Sequence, residues 1–96
     1  MNEFIIFYTP SRGTFLEDAT PEELTIVDRH FEYLQAELGR GRLIVAGRRL
    51  ERPMGIAVFE AEDETAAQWF MENDPAVKSG VFQAEVGPYR VALLRR

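Results

Sequence analysis

Two residues in this 96-residue chain could carry proton-transfer chemistry: its single histidine, His30, and Asp74, the residue before Pro75. An imidazole exchanges protons near neutrality, so a histidine beside a carboxylate can act as general base or acid. His30 falls within the apolar series Leu24, Val27, Phe31, Leu34 and Leu38. At about 100° of turn per residue it lies on the shoulder of that series, in a row with Ile26, Tyr33 and Glu37. By position alone it reads as a packing histidine with one satisfied nitrogen, with a general base as the alternative. Asp74 reads as a turn-forming Asp-Pro. It could orient His30 if the two helices that hold them lie side by side. Tyr8 and Tyr33 are candidates to line a pocket, although such tyrosines are often core residues with their hydroxyls at the rim. Arg48 and Arg49 continue a strand, one on each face, so one of them could meet an anionic ligand or a partner chain. Arg29 points about 100° away from His30 and faces solvent.

Other chemistries lack their residues. There is no cysteine, which excludes disulfides, thiol catalysis and cysteine-based metal sites. One histidine without a spaced carboxylate cluster gives no metal site, and no cofactor is implied. Phosphate loops, GxGxxG, HExxH and serine-elbow patterns do not occur. The net charge of -5, from 16 acidic and 11 basic residues, argues against nucleic acid and anionic membranes as partners. All basic residues but Lys78 are arginine, a bias that fits a GC-rich genome and also suits anion recognition. No signal peptide or membrane-length apolar run is visible, so a cytoplasmic location is expected.

The elements that must position these residues can be read in turn. Phe4 to Tyr8 is apolar on both faces, as a central strand is. Thr9 to Gly13 breaks it, and Thr14 to Ala19 is loop-like. Thr20-Pro21-Glu22-Glu23 starts a helix with a capping box. Its core face is predicted to be Leu24, Val27, Phe31, Leu34 and Leu38, and it ends at Gly39 and Gly41. A second strand runs from Leu43 to about Leu50 and a third from Met54 to Ala61, together a hairpin. Asp63 caps a second helix whose buried side is Ala66, Ala67, Phe70 and Trp69, ending at Asn73-Asp74-Pro75. Pro75 to Gly80 is a short helical turn. Val81 to Leu94 is a last strand, interrupted at Gly87-Pro88.

This βαββαβ order predicts a ferredoxin-like α+β domain over residues 1–96, a four-stranded antiparallel sheet with two helices on one face. The other face should be polar in a monomer, yet Ile5, Phe7, Ile56 and Val58 alternate with equally apolar neighbours. Such a patch predicts a homodimer packed through the open sheet face, the alternative being a monomer whose Thr9–Ala19 loop covers it.

His30-Phe31-Glu32-Tyr33-Leu34 resembles the H-x-x-(Y/F)-L helix motif of YciI-like proteins. Gly41 to Gly47 resembles their G-x-L-x-x-A-G strand. Asp74-Pro75 followed by Gly80-Val81 resembles their D-P…G-(L/V) segment. The order and spacing agree along nearly the whole chain. The resemblance implies a dimeric α+β barrel and a paired His30 and Asp74 in a pocket, proposed as catalytic. The chain departs from the pattern in its long Thr9–Ala19 loop and its arginine-rich second strand. Three functions are in competition. The first is a cofactor-independent isomerase or lyase acting on a small organic substrate through His30 and Asp74, with Tyr8, Tyr33 and Arg48 as substrate contacts. The second is a small-ligand binding or sensing module, and the third a purely structural dimer.

Overall fold

A computed structural model describes residues 1–95. The chain forms β1 (Asn2–Pro10), α1 (Phe15–Asp18), α2 (Pro21–Gly39), β2 (Leu43–Arg48), β3 (Gly55–Ala61), α3 (Glu64–Glu72), α4 (Pro75–Lys78) and β4 (Phe82–Pro88). The four strands make one antiparallel sheet in the order β2-β3-β1-β4. This is the expected ferredoxin-like arrangement. β1 is central, paired with β3 on one side and β4 on the other, which is why both of its faces are apolar.

Alternation along the strands assigns the faces. Phe4, Ile6 and Tyr8 of β1 and Ala57, Phe59 and Ala61 of β3 point to the helices and pack with Leu34, Phe70 and Met71. Ile5, Phe7, Ile56 and Val58 take the opposite face. There Ile5 and Val58 are buried, whereas Phe7 is 38% and Val45 46% exposed. Glu3, on the same face, accepts a hydrogen bond from the Val91 N–H at 2.9 Å, so the chain after β4 bends toward this face.

β1 extends past the expected Phe4–Tyr8 at both ends, to Asn2 and Pro10, and two other strands end early. β2 stops at Arg48 rather than near Leu50. β4 stops at Pro88 rather than Leu94. The register explains the second: Phe4 lies opposite Pro88, so β1 runs out of residues about where Tyr89 and Arg90 would pair. Tyr89 still donates to the Glu3 carbonyl at 3.0 Å, and beyond it no strand remains to receive the chain.

α2 begins as predicted. Thr20 accepts from the Glu23 N–H at 3.1 Å, the Glu23 carboxylate accepts from the Thr20 N–H at 2.9 Å, and Pro21 takes a position where no amide donor is needed. It ends on Gly41, whose φ of 78° lets Arg42 donate back to the Glu37 carbonyl. The buried face of α2 is not the predicted one. Of the apolar series only Leu34 is buried; Leu24, Phe31 and Leu38 are 51%, 59% and 58% exposed. The inward row is His30, Tyr33, Leu34 and Glu37, whose spacing is equally helical. Its polar tips are each satisfied: His30 by Asp74, Tyr33 by the Phe70 carbonyl at 2.8 Å, and Glu37 by Arg40 and Arg42 at 2.9 and 2.8 Å. Ala66 and Trp69, assigned to the buried side of α3, are exposed; Ala67, Phe70 and Met71 fill that role.

The Thr9–Ala19 stretch is more ordered than its sequence suggests. It holds the single-turn α1, which buries Phe15 against Phe82. Arg12 fastens it to the start of α2. Its guanidinium donates to both carboxylate oxygens of Glu23, at 2.6 and 3.1 Å, and to Asp18 at 2.8 Å. These bonds hold the Glu23 carboxyl down at about 2, and the Thr20 N–H adds to the effect. Asp18 is lowered too, first by Arg12 and then by Thr14.

Candidate active site

The sequence left open whether Asp74 meets His30. It does: α4 packs beside α2, and Asp74 Oδ2 lies 2.6 Å from His30 Nδ1. Asp74 is fully buried, with 0% exposure. Its two oxygens divide the work. Oδ1 accepts from the Ala76 N–H at 2.9 Å and caps α4, the turn role expected of an Asp-Pro. Oδ2 accepts from His30 and from the Tyr8 hydroxyl, the latter at 3.2 Å. One residue therefore serves both readings that the sequence set against each other.

A carboxylate only accepts hydrogen bonds, so Nδ1 of the neutral imidazole carries the proton and Nε2 keeps its lone pair. Nε2 has no hydrogen-bond partner among the described residues, and it is not among their fully buried unpartnered atoms. The ring is wedged edge-on against Tyr8 and Phe82, with centroids 4.9 and 5.3 Å away, which fixes its plane. The Tyr8 hydroxyl is held protonated far above its usual range. Burial is the main cause, followed by the Asp74 charge and the hydrogen bond donated to it.

His30 and Tyr8 open onto a cavity of about 590 Å³ between the first half of α2, α1 and the β2–β3 hairpin. This volume lies within the usual range for small-molecule sites, about 300–1,000 Å³. Its wall is mostly apolar and includes Leu16, Leu24, Val27 and Phe31. The series assigned to the core is thus, over its first half, the wall of this cavity.

Arg48 also lines it. A β-bulge places it there. The register slips between Leu43 and Val45, so Leu43, Ala46 and Arg48 all lie opposite helix-facing residues of β3. Unbroken alternation from Leu43 would instead have turned Arg49 toward the helices. Arg49 is engaged outside the cavity with Glu51. Tyr33 does not line the cavity. Its ring stacks on Phe70 and its hydroxyl is spent on the Phe70 carbonyl, while burial and the Asp74 charge push its pKa up to about 12. Phe82, Phe15 and Gly55, which the sequence did not single out, do line it. Among the described residues no group of three or more histidine, aspartate or glutamate side chains is placed to hold a metal ion. No helix among them is long and apolar enough to cross a membrane.

The YCII-related domain model matches residues 4–89, and the chain belongs to that family. Solved structures that share its fold include the following two. One is a 5-chloro-2-hydroxyhydroquinone dehydrochlorinase from Burkholderia phenoliruptrix in complex with 2,5-dihydroxybenzoquinone. It is 22% identical, with 91% of this chain and 93% of that one aligned at a TM-score of 0.69. The other is a muconolactone isomerase, 15% identical, with 98% of this chain and 96% of that one aligned at a TM-score of 0.71. No curated protein sequence matches the chain.

Proposed function

We propose that this member of the YCII-related family is a cofactor-independent enzyme that moves a proton to or from carbon in a small organic substrate. The observation that carries the proposal is the buried Asp74 carboxylate on His30 Nδ1, with Nε2 unpartnered at an apolar cavity. Nε2 takes a proton from an activated carbon of the substrate. The imidazolium so formed is stabilised by the carboxylate 2.6 Å away, whose charge counts for more in a buried setting than in water. Tyr8 keeps Asp74 in place by donating to the same oxygen. The proton then returns to a different carbon, an isomerisation, or a leaving group departs, an elimination. The two fold relatives, named as an isomerase and a dehydrochlorinase, carry out reactions of these two kinds.

Deuterium exchange tests the proposal without knowledge of the product. Muconolactone and a chlorinated hydroxyhydroquinone, incubated in D2O with the protein, are followed by mass spectrometry for exchange or turnover. His30→Asn should slow any such reaction by about 10²–10⁴-fold, the usual share of a general base. Exchange that survives His30→Asn at the wild-type rate would overturn the assignment of the base.

The chain is proposed to work as a homodimer through the open sheet face. Phe7 and Val45 are exposed there beside the buried Ile5 and Val58, a surface better suited to another apolar face than to water. Phe7→Glu should convert the particle to a monomer in light scattering; a wild-type protein that is already monomeric sinks this part.

A further inference from the structure

The cavity has a cation with nothing to hold. Arg48 lines it and makes no hydrogen bond or ion pair among the described residues, whereas Arg12, Arg40, Arg42 and Arg49 all pair with carboxylates. The register sets Arg48 in line with the proton site. Tyr8 lies opposite Gly55 on β3, and Gly55 lies opposite Arg48 on β2. The three therefore form one row across the sheet, all on the helix side, with Tyr8 and Arg48 two strand spacings apart, about 10 Å.

Gly55 is the floor between them. A Cβ there would stand 4.0 Å from the Tyr8 Cβ, 3.8 Å from the Arg48 Cβ and 3.4 Å from the Gly47 carbonyl oxygen. Any larger side chain would fill the space between the histidine end and the arginine end. The missing side chain leaves a flat strip of backbone flanked by the apolar wall of α2. Among the described residues Asp28 is the one acidic side chain on the cavity lining, and it stands on α2. Its charge disfavours an anion near the helix and favours the Arg48 end.

We infer that the cavity takes a flat, ring-sized organic anion, its carboxylate or phenolate held by Arg48 and its ring laid over Gly55 toward His30. The inference deepens the proposed function by naming the substrate class, and it rests on that reading only for the role of His30. Arg48 is then a specificity-determining residue. A guanidinium suits it, because its planar fork receives a carboxylate through two parallel bonds.

The test uses 2-naphthoate and its neutral counterpart 2-naphthamide, neither of which has a carbon acid for His30 to act on. Binding is measured by calorimetry and by amide shifts in the intact protein. The wild type should bind 2-naphthoate about tenfold or more tightly than the amide, as expected for a hydrogen bond to a charged group. Shifts should centre on Gly55 and Arg48. Arg48→Gln should erase the preference and Arg48→Lys should keep part of it; Arg48 is exposed, so neither change threatens the fold. Gly55→Val should block both probes. Equal affinity for the two probes, a preference that survives Arg48→Gln, or binding of neither probe would each overturn the inference. Because the probes do not react, these outcomes stand apart from the deuterium-exchange result. A protein with no exchange activity that still prefers 2-naphthoate through Arg48 retains the subsite and loses only the proposed chemistry.

Discussion

Replacing Asp74 separates two roles that a simple deletion would confuse. Asp74 accepts three hydrogen bonds, from His30 Nδ1, the Tyr8 hydroxyl and the Ala76 N–H. In Asp74→Ala the α4 cap is lost, at about 1 kcal/mol. Two donors are also stranded in a buried place, at about 1–3 kcal/mol each, with His30 at the low end because its side chain is 13% exposed. The sum is about 3–5 kcal/mol, a large part of the roughly 5–15 kcal/mol expected for a domain of this size. Asp74→Asn keeps the shape. Its carbonyl oxygen can hold the Ala76 N–H, while its NH2 takes the place of Oδ2 and donates to Tyr8 and His30. The charge assistance is lost and the Tyr8 O–H is left without its acceptor, but the desolvation of a buried carboxylate is lost as well, so stability should fall by about 1–2 kcal/mol, less than in Asp74→Ala. The chemistry inverts, because an NH2 group that donates to Nδ1 forces the ring proton to Nε2, leaving no base at the cavity. Urea melts give the two stabilities, and ¹⁵N shifts of the single imidazole give the tautomer. The reasoning is refuted if Asp74→Asn retains the Nδ1–H form, or if it is as destabilised as Asp74→Ala.

Further outcomes follow from the same geometry. Leu34→Ala should cost about 2–5 kcal/mol in a denaturant melt, whereas Phe31→Ala, at an exposed wall position, should cost much less and alter ligand binding instead. Tyr33→Phe should lose about 0.5–1.5 kcal/mol with its bond to the Phe70 carbonyl and leave binding of 2-naphthoate unchanged, because Tyr33 lies off the cavity. The Arg12 latch should open in acid. Glu23 sits at about 2, below its ordinary 4.5, so its contribution is complete above about 4.5 and is lost as pH falls toward 2. Pepsin should therefore cut between Ser11 and Ala19 more readily as pH falls through that window. Arg12→Gln should be cut there already at the upper end of it; equal cleavage of the two proteins would argue against a latch.

The fold was legible because its signals are local. The capping box at Thr20, the Asp63 cap and the two-faced apolar β1 each act within a few residues, and together they leave one plausible element order. The end of β4 was less so, since nothing in Val91 to Leu94 announces that β1 has no residues left to pair with them. Its limit belongs to the register and not to the segment. The single turn of α1 was missed for a similar reason: what holds it is Arg12 reaching forward to Asp18 and Glu23, a contact across the loop that propensity does not report.

His30 and Asp74 were legible as a candidate pair, whereas the faces taken by the side chains around them were not, and one cause runs through α2 and β2 alike. Hydrophobic periodicity reports which side of a helix avoids water, without saying what covers it. On α2 it found Leu24, Val27 and Phe31 and assigned them to the core, while the row that meets the core carries His30, Tyr33 and Glu37, polar side chains whose burial is offset by dedicated partners on α4, α3 and the β2 entry. A polar inner row is affordable only where each tip has such a partner, and Asp74, the Phe70 carbonyl, Arg40 and Arg42 are those partners. The apolar row beside it is then left over to face a cavity. The same holds for Arg48 and Arg49, which the pattern could only place on opposite faces. One extra residue between Leu43 and Val45 sends Arg48 to the cavity and Arg49 to Glu51. Deleting that residue, Ile44, is the corresponding experiment. With the extra residue gone, plain alternation from Leu43 still leaves Arg48 opposite Gly55, so the preference for 2-naphthoate should stay sensitive to Arg48→Gln and insensitive to Arg49→Gln; a preference that passes to Arg49 would mean that Ile44 is not the extra residue.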